Sequence, residues 1–441
     1  MKAELPRYPA YQPTESEWLG EMPLGWKVVQ LARLNTKLTN GFVGATRDIL
    51  REQGVRYLQS LHLKGGCIVF DMPYFVSKEW SAAHKKSILK TGDVLIVQTG
   101  DIGQVAAVTD EFAGSNCHAL IIVCSKQKMI DGFFLSVVLR SHYGFHSLKS
   151  VQTGALHPHL NCTNIRDIYL PIPPLEDQLS ILTFLDRETA KIDRLMEVRR
   201  KQVEVLQERR TAVIHHAVTK GLDPNAKVKP SGVEWLGHVP EEWTVKRLKF
   251  WVEHVSSQVS RLPEGRSYVA LEHIEGKTGR ILPNESVEFD SNVKLFKAND
   301  VLFGRLRPYL AKVAFPDFDG VCVGELMVLR AYQELCPRYL QLRLLTPDFI
   351  DLVDSSTQGA KMPRANWSFV GDLKIAFPSR PNQEAAVVHI ERETAKLETL
   401  IAKYRRELDL LGEYRASLIS HAVTGKIDVR GLVEPSRTKA A

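Results

Sequence analysis

The sequence predicts an α/β fold with long α-helices added: two mixed α/β domains at opposite ends of an antiparallel two-helix coiled coil, the halves related as a pseudo-two-fold internal repeat. Three observations lead there. A sequence block recurs about 217 residues later, each half closes on a long segment without internal proline, and between their shared landmarks the halves diverge.

The repeat fixes the architecture. Glu17-Trp18-Leu19-Gly20, followed by Pro23 and Trp26, returns as Glu234-Trp235-Leu236-Gly237, followed by Pro240 and Trp243. A second block runs without a gap from Asp186-Arg187-Glu188-Thr189-Ala190-Lys191 to His216-Ala217-Val218-Thr219. It returns from Glu391-Arg392-Glu393-Thr394-Ala395-Lys396 to His421-Ala422-Val423-Thr424, with about 15 of 34 aligned positions identical. Weaker echoes lie between: Gly92-Asp93-Val94-Leu95 against Asn299-Asp300-Val301-Leu302, and Gly154 through Pro158 to Asn161 against Gly359 through Pro363 to Asn366.

The layout is therefore a first globular domain over 1–174, a first repeated helix over 175–222, a second globular domain over 223–378, a second repeated helix over 379–428 and a tail over 429–441. The apolar runs Val94 to Val97, Ala119 to Val123 and Val321 to Val323, bounded by Gly, Asp or Asn, predict buried strands. Gly132 to Arg140 and Pro337 to Leu345 have the spacing of helices packed on those sheets.

The segments from Gln178 to Thr219 and from Gln383 to Thr424 carry a near-heptad apolar stripe: Leu397, Leu400, Tyr404, Leu408, Leu411 and Leu418, matched by Ile192, Leu195, Val203, Leu206 and Val213. A helix of that length spans ~60 Å and cannot bury its stripe alone, so the two repeats are expected to pack on each other. Antiparallel pairing needs the least connecting chain and puts the globular domains at the two ends of a dumbbell. Ile192, Leu195, Leu206, Leu397, Leu400 and Leu411 are the expected packing or partner-docking positions. Arg199, Arg200, Arg209, Arg210, Arg405, Arg406 and Arg415, interspersed with Glu, read as the solvated face of the pair.

Composition excludes several classes. The chain of 441 residues has a formal charge of +7, a mild attraction for polyanions. Its six cysteines form no C-x-x-C pair, which argues against a zinc knuckle or a disulfide framework. No stretch has the length and apolarity of a signal core or a membrane span, so the expected location is the cytoplasm and no membrane partner is expected. There is no G-x-x-x-x-G-K-[ST] phosphate loop, no Asp/Asn-Pro-Pro-aromatic motif of adenine methylation, and no recognisable nuclease cluster of paired carboxylates with lysine.

The motifs resemble those of the specificity subunits of type I restriction-modification systems over nearly the entire chain. The resemblance rests on Gly232-Val233-Glu234-Trp235-Leu236-Gly237 leading to Pro240, Trp243 and Leu248. It rests equally on Leu170-Pro171-Ile172-Pro173-Pro174-Leu175-Glu176-Asp177-Gln178 and on the helix tail His215-His216-Ala217-Val218-Thr219-Lys220-Gly221. It implies that each globular domain is a target recognition domain reading one half of a split, asymmetric sequence in double-stranded DNA. It also implies that the helices set the spacing and dock two methylation subunits, with restriction subunits joining in the full complex. No catalytic residue, metal or cofactor is expected on this chain; S-adenosylmethionine, ATP and Mg are expected on the partner subunits. One departure stands out: the second closing motif, Ile375-Ala376-Phe377-Pro378-Ser379-Arg380-Pro381-Asn382-Gln383, lacks the apolar Leu of the first, which puts local packing there in question.

Base reading requires donors and acceptors aimed at base edges, with cations on the phosphates. Arg305 and Arg307, in Gly304-Arg305-Leu306-Arg307-Pro308-Tyr309 after a predicted strand, match guanine O6 and N7, or else are solvated surface arginines. The equivalent turn of the first half, Gln98-Thr99-Gly100-Asp101, offers Gln98 for adenine or Asp101 for cytosine. Around the two proline loops, His157, His159, Lys361 and Arg364 are candidates for phosphate or base contact, with a plain loop role as the alternative; His157 and His159 lack further metal ligands at suitable spacing. Asn161 and Asn366 are expected to cap the turns that follow or to hold the backbone. Two other classes compete: a single-chain DNA methyltransferase or nuclease, and a coiled-coil scaffold joining two protein-binding modules.

Overall fold

A computed structural model describes residues 5–154, 158–259, 266–283, 293–357 and 362–432. The chain divides into two units, residues 1–198 with 407–441, and residues 199–406. Each contains a mixed α/β domain and parts of both long helices, Leu175–Thr219 and Arg380–Val423.

In the first unit an antiparallel sheet has the strand order Val105–Ala107, Val94–Val97, Leu120–Ser125, Asn35–Asn40. Val94–Val97 is apolar at every position because both faces of the sheet are covered. Val94 and Ile96 join the core containing Phe134, Leu135 and Val138 of the helix Gly132–Arg140, while Leu95 and Val97 join a second core with Phe112 and Cys117. The second unit repeats the order with Val313–Ala314, Val301–Gly304, Leu326–Ala331 and Val252–Val255. Val301 and Phe303 face the helix Pro337–Leu344, and Leu302 faces the other core. The turn before the central strand is the same device twice. Gly92 and Asn299 both take a left-handed φ, +82° and +69°, and the next carboxylate accepts a backbone N–H: Asp93 Oδ2 from Lys90 at 2.9 Å, Asp300 Oδ2 from Lys297 at 2.8 Å. Gly and Asn are the residues that enter that region at least cost.

The smaller sheets diverge. Both hold a parallel pair, Asn116–Cys117 with Val55–Leu58 and Gly320–Val323 with Ser267–Val269. In the first unit the extra strands Phe75–Val76 and Leu50–Arg51 extend from Val55–Leu58. In the second, Val293–Phe296 and Gln258–Val259 extend from Gly320–Val323 instead.

Each domain is closed by pairing an early strand with its last, Lys27–Gln30 with Tyr169–Ile172 and Thr244–Arg247 with Lys374–Phe377. The long helix that follows is pinned by a buried glutamine. Gln178 accepts from Asp131 N at 2.8 Å and donates to the carbonyls of Met129 and Pro173 at 3.0 and 2.9 Å. Gln383 accepts from Cys336 N at 2.7 Å and donates to those of Glu334 and Pro378 at 3.2 and 2.8 Å. The missing apolar residue of the second closing motif is compensated: Arg380, in the place of Leu175, donates to the carbonyls of Gln333 and Leu335, both at 3.0 Å, and pairs with Glu384 at 2.7 Å.

Within each unit the two helices run antiparallel. In the first, Arg187 donates to the Leu432 carbonyl at 3.2 Å and Arg415 pairs with Asp193 at 2.8 Å. In the second, the guanidinium of Arg199 lies 4.8 Å over the Tyr404 ring and Arg210 pairs with Glu398 at 3.0 Å. Arg415–Asp193 and Arg210–Glu398 are the same pair one repeat apart.

The seam corrects two readings. Ile192 and Leu397 are buried as expected, and Leu206 and Leu411 are half-buried, but Leu195 and Leu400 are 42% and 40% exposed. The heptad advances from Ile192 and Leu397 by four residues, not three, so Met196 and Ile401 take the inward places. Arg199, Arg210 and Arg415 leave the solvated face for the seam, where the aromatic ring and the carboxylates above receive them. The predicted tail also begins later than expected: Val429 is fully buried, and Lys426 Nζ donates to the Leu19 and Glu21 carbonyls at 2.9 and 2.6 Å.

Candidate nucleic-acid interface

The two loop segments singled out in each half meet. In the first unit the turn after Val94–Val97 bridges the proline loop through Thr99 and His159, and Leu160 N donates to the Gln98 carbonyl at 2.9 Å. In the second, Leu306 bridges Arg364, and Ala365 N donates to the Arg305 carbonyl at 2.8 Å. The frame is then capped alike: Asn161 Oδ1 accepts from Asn164 N at 2.8 Å and Asn366 Oδ1 from Ser368 N at 3.3 Å. A short helix follows each cap, Cys162–Ile165 and Trp367–Asp372, before the closing strand.

On this common frame the side chains differ. In the first unit Asp101 is exposed, Gln98 is half-buried with its Oε1 accepting no hydrogen bond among the described residues, and the His159 ring lies 3.2 Å from Thr153 Oγ1. In the second unit Arg307 is exposed in a left-handed backbone, φ +51°, with its N–H on the Pro363 carbonyl at 2.9 Å. That conformation costs a non-glycine residue roughly 1–2 kcal/mol and directs the chain into the turn Pro308–Leu310. Tyr309, Leu310 and Met362, large apolar residues of the same two segments, are exposed.

The sequence pairs Arg305 with Arg307; the structure pairs Arg305 with Arg364 instead, through Glu325. Arg305 Nε lies 3.0 Å from Glu325 Oε2, and Arg364 Nε and Nη2 lie 3.1 and 3.0 Å from Oε1. Burial alone would raise the Glu325 carboxyl, but the hydrogen bonds and charges of Arg364 and Arg305 outweigh it and hold the group below the usual carboxylate range. Behind it, buried Lys294 donates to the Gly324 and Leu326 carbonyls at 3.0 and 2.9 Å; burial and the Arg305 charge lower its affinity for a proton. His254, stacked on Trp367 at 4.7 Å, is likewise depressed by burial and by the charges of Lys294 and Arg305.

Glu325 was not singled out by sequence. The available signal was that it is the one carboxylate in the turn Val323-Gly324-Glu325, where the register of the first unit places Ala119. His157 and Lys361 lie outside the described residues. Among the described residues no three His, Cys, Asp or Glu gather as metal ligands, the six cysteines are all unpaired, and no helix is long and apolar enough to cross a membrane.

The family described as the type I restriction modification DNA specificity domain matches residues 23–205. The type I restriction enzyme MjaVIII specificity subunit of Methanocaldococcus jannaschii is 23% identical over 93% of this chain and 95% of its own length. The EcoKI specificity subunit of Escherichia coli K12 is 23% identical over 94% and 92%. Among solved structures, a chain from a study of the assembly and conformational transition of a type I R-M system superposes with a TM-score of 0.70 at 15% identity, covering 91% of this chain and 98% of that one. The HsdS subunit of Thermoanaerobacter tengcongensis gives 0.50 at 16% identity, covering 92% and 98%. These superpositions establish a shared fold of α/β domains and long helices.

Proposed function

We propose, from the premise that this chain is a type I restriction-modification specificity subunit, a non-catalytic component that recognises DNA sequence, that its two units each read one half of a bipartite, asymmetric duplex target. The observation that carries this reading is the loop pair built twice by the same hydrogen bonds and furnished with different side chains. A frame kept constant while its exposed groups change suits two readers of unlike half-sites. Gln98, Asp101, His157 and His159 act for the first half, and Arg305, Arg307, Lys361 and Arg364 for the second. The acidic and amide groups of the first unit suit cytosine N4 and adenine, and the guanidinium groups of the second suit guanine and phosphate.

The paired helices set the spacing between half-sites and carry the methylation subunits. Exposed Leu195 and its repeat Leu400 offer the same apolar contact once in each unit, in keeping with two copies of one partner. Methyl transfer from S-adenosylmethionine and ATP- and Mg-dependent cleavage belong to the methylation and restriction subunits, in the cytoplasm where the complex meets its DNA.

The test is binding of the reconstituted complex to duplexes randomised at every target position. Asp101→Ala should relax one half-site and Arg305→Ala the other, each by roughly 1–3 kcal/mol per lost base contact. Equal losses in both halves for either variant would contradict the assignment.

A further inference from the structure

The second unit's loop pair holds one arrangement that the first lacks. Glu325 grips Arg305 twice, by its carboxylate on Nε at 3.0 Å and by its backbone carbonyl on Arg305 N at 3.0 Å. Its other oxygen holds the Nε and Nη2 edge of Arg364. The backbone carrying Glu325 is itself fixed, because Lys294 binds the carbonyls immediately before and after it. At the matching place in the first unit stands Ala119, which has no carboxylate to grip a side chain.

We propose that Glu325 is a positioning residue for specificity: it aims Arg305 end-on at a guanine in the half-site read by the second unit, while Arg364 balances its charge. This rests on the half-site reading given above. With Nε occupied, Arg305 presents its two terminal amino groups, whose parallel N–H bonds match guanine O6 and N7. Among the described residues neither terminal nitrogen of Arg305 has a hydrogen-bond partner. Both Glu325 oxygens already accept from arginine. Arginine carries about 2 kcal/mol of rotamer entropy, and fixing the side chain before DNA arrives removes part of that cost from binding. Two guanidinium groups and one carboxylate leave a net single positive charge facing the polyanion. This cluster therefore remains attractive to DNA while Glu325 reduces its nonspecific pull.

The experiment uses the full chain assembled with its methylation subunits and a panel of duplexes carrying each base pair of the target in turn, with Kd measured for target and unrelated DNA. Arg305→Ala should lose discrimination at one G·C pair of one half-site by roughly 10- to 100-fold. Glu325→Ala should lose on the order of 5- to 10-fold at that same pair. Its affinity for unrelated DNA should rise and steepen with salt, because a negative charge has been removed from the interface. A merely structural role predicts the opposite on unrelated DNA, a fall in affinity without preference for one base pair. Glu325→Gln, whose amide oxygen can still accept one guanidinium hydrogen bond, should fall between, and it decides the matter if the alanine variant does not assemble. If Arg305→Ala affects the half-site while both Glu325 variants discriminate as the wild type does, the positioning role is wrong and the half-site reading stands. If Arg305→Ala leaves both halves unchanged, or weakens both equally, the half-site reading fails and this inference with it.

Discussion

The closing junctions of the two units and their loop pairs belong to the same internal repeat, yet they differ in opposite ways. At the junctions Gln178 and Gln383 make the same three hydrogen bonds to the same kinds of groups, and where Leu175 became Arg380 the new side chain restores the attachment through two carbonyls. In the loops the backbone bonds are equally well kept, but a half-buried amide and an exposed carboxylate in one unit face three arginines and a glutamate in the other. Backbone geometry that positions a surface is held by buried polar bonds that are costly to lose, whereas the surface itself is free to be rewritten.

The contrast is broken most severely where the frames themselves differ. Arg343 is buried and paired with Asp348 at 2.9 Å, where the first unit has Val138 and Tyr143. Asp348→Ala strands a buried guanidinium and should cost the second unit about 3–5 kcal/mol while sparing the first, read as unit-resolved hydrogen exchange in denaturant. The same pair gives a pH signature. Burial alone would raise the Asp348 carboxyl, but Arg343 outweighs it and holds the group below its usual value. A folded pKa below the unfolded one gives stability that is present above ~4 and lost as pH falls through the folded value. In the first unit Asp177 and Asp186 are shifted upward by burial, so protonation favours their folded state. Acid should therefore remove the pair's contribution from the second unit, and an acid stability of that unit unchanged by Asp348→Ala would count against the pair's role.

Next in size is the seam. Leu397→Ala and Ile192→Ala should each cost about 2–4 kcal/mol, whereas Leu195→Ala and Leu400→Ala should change stability by less than about 0.5 kcal/mol and instead weaken capture of the methylation subunits. Thermal unfolding of the chain beside pull-down of those subunits separates the two outcomes. Smaller but more symmetric are Gln178→Ala and Gln383→Ala, at about 2–3 kcal/mol each. Unequal losses would show that the junctions are less alike than their bonds.

What the sequence makes legible follows the range of the forces involved. The strands around Val94 and Val301 and the two long helices are written in local periodicity and are seen where expected; the left-handed turns at Gly92 and Asn299 were not read from the sequence. The asparagine caps were readable in single residues. Leu195 and Leu400 lie outside the seam because a three-step and a four-step both fit a short apolar stripe until the partner helix chooses; of their two readings, packing is the one corrected. The loops' candidate residues were found one by one, but not that Arg305 meets Arg364. Glu325 joins them only after residues far apart in the chain are brought together across a bridge between Leu306 and Arg364. Gln178 and Gln383 were visibly aligned, yet a buried clamp and an exposed polar residue look the same in a sequence.

The most direct test of two different readers on one repeated frame is to map the methylated sites in DNA from cells carrying this chain with its full set of partner subunits. The account predicts a target of two unlike half-sites separated by a fixed stretch of unread bases. A continuous target, or one whose halves are mirror copies of each other, would contradict it.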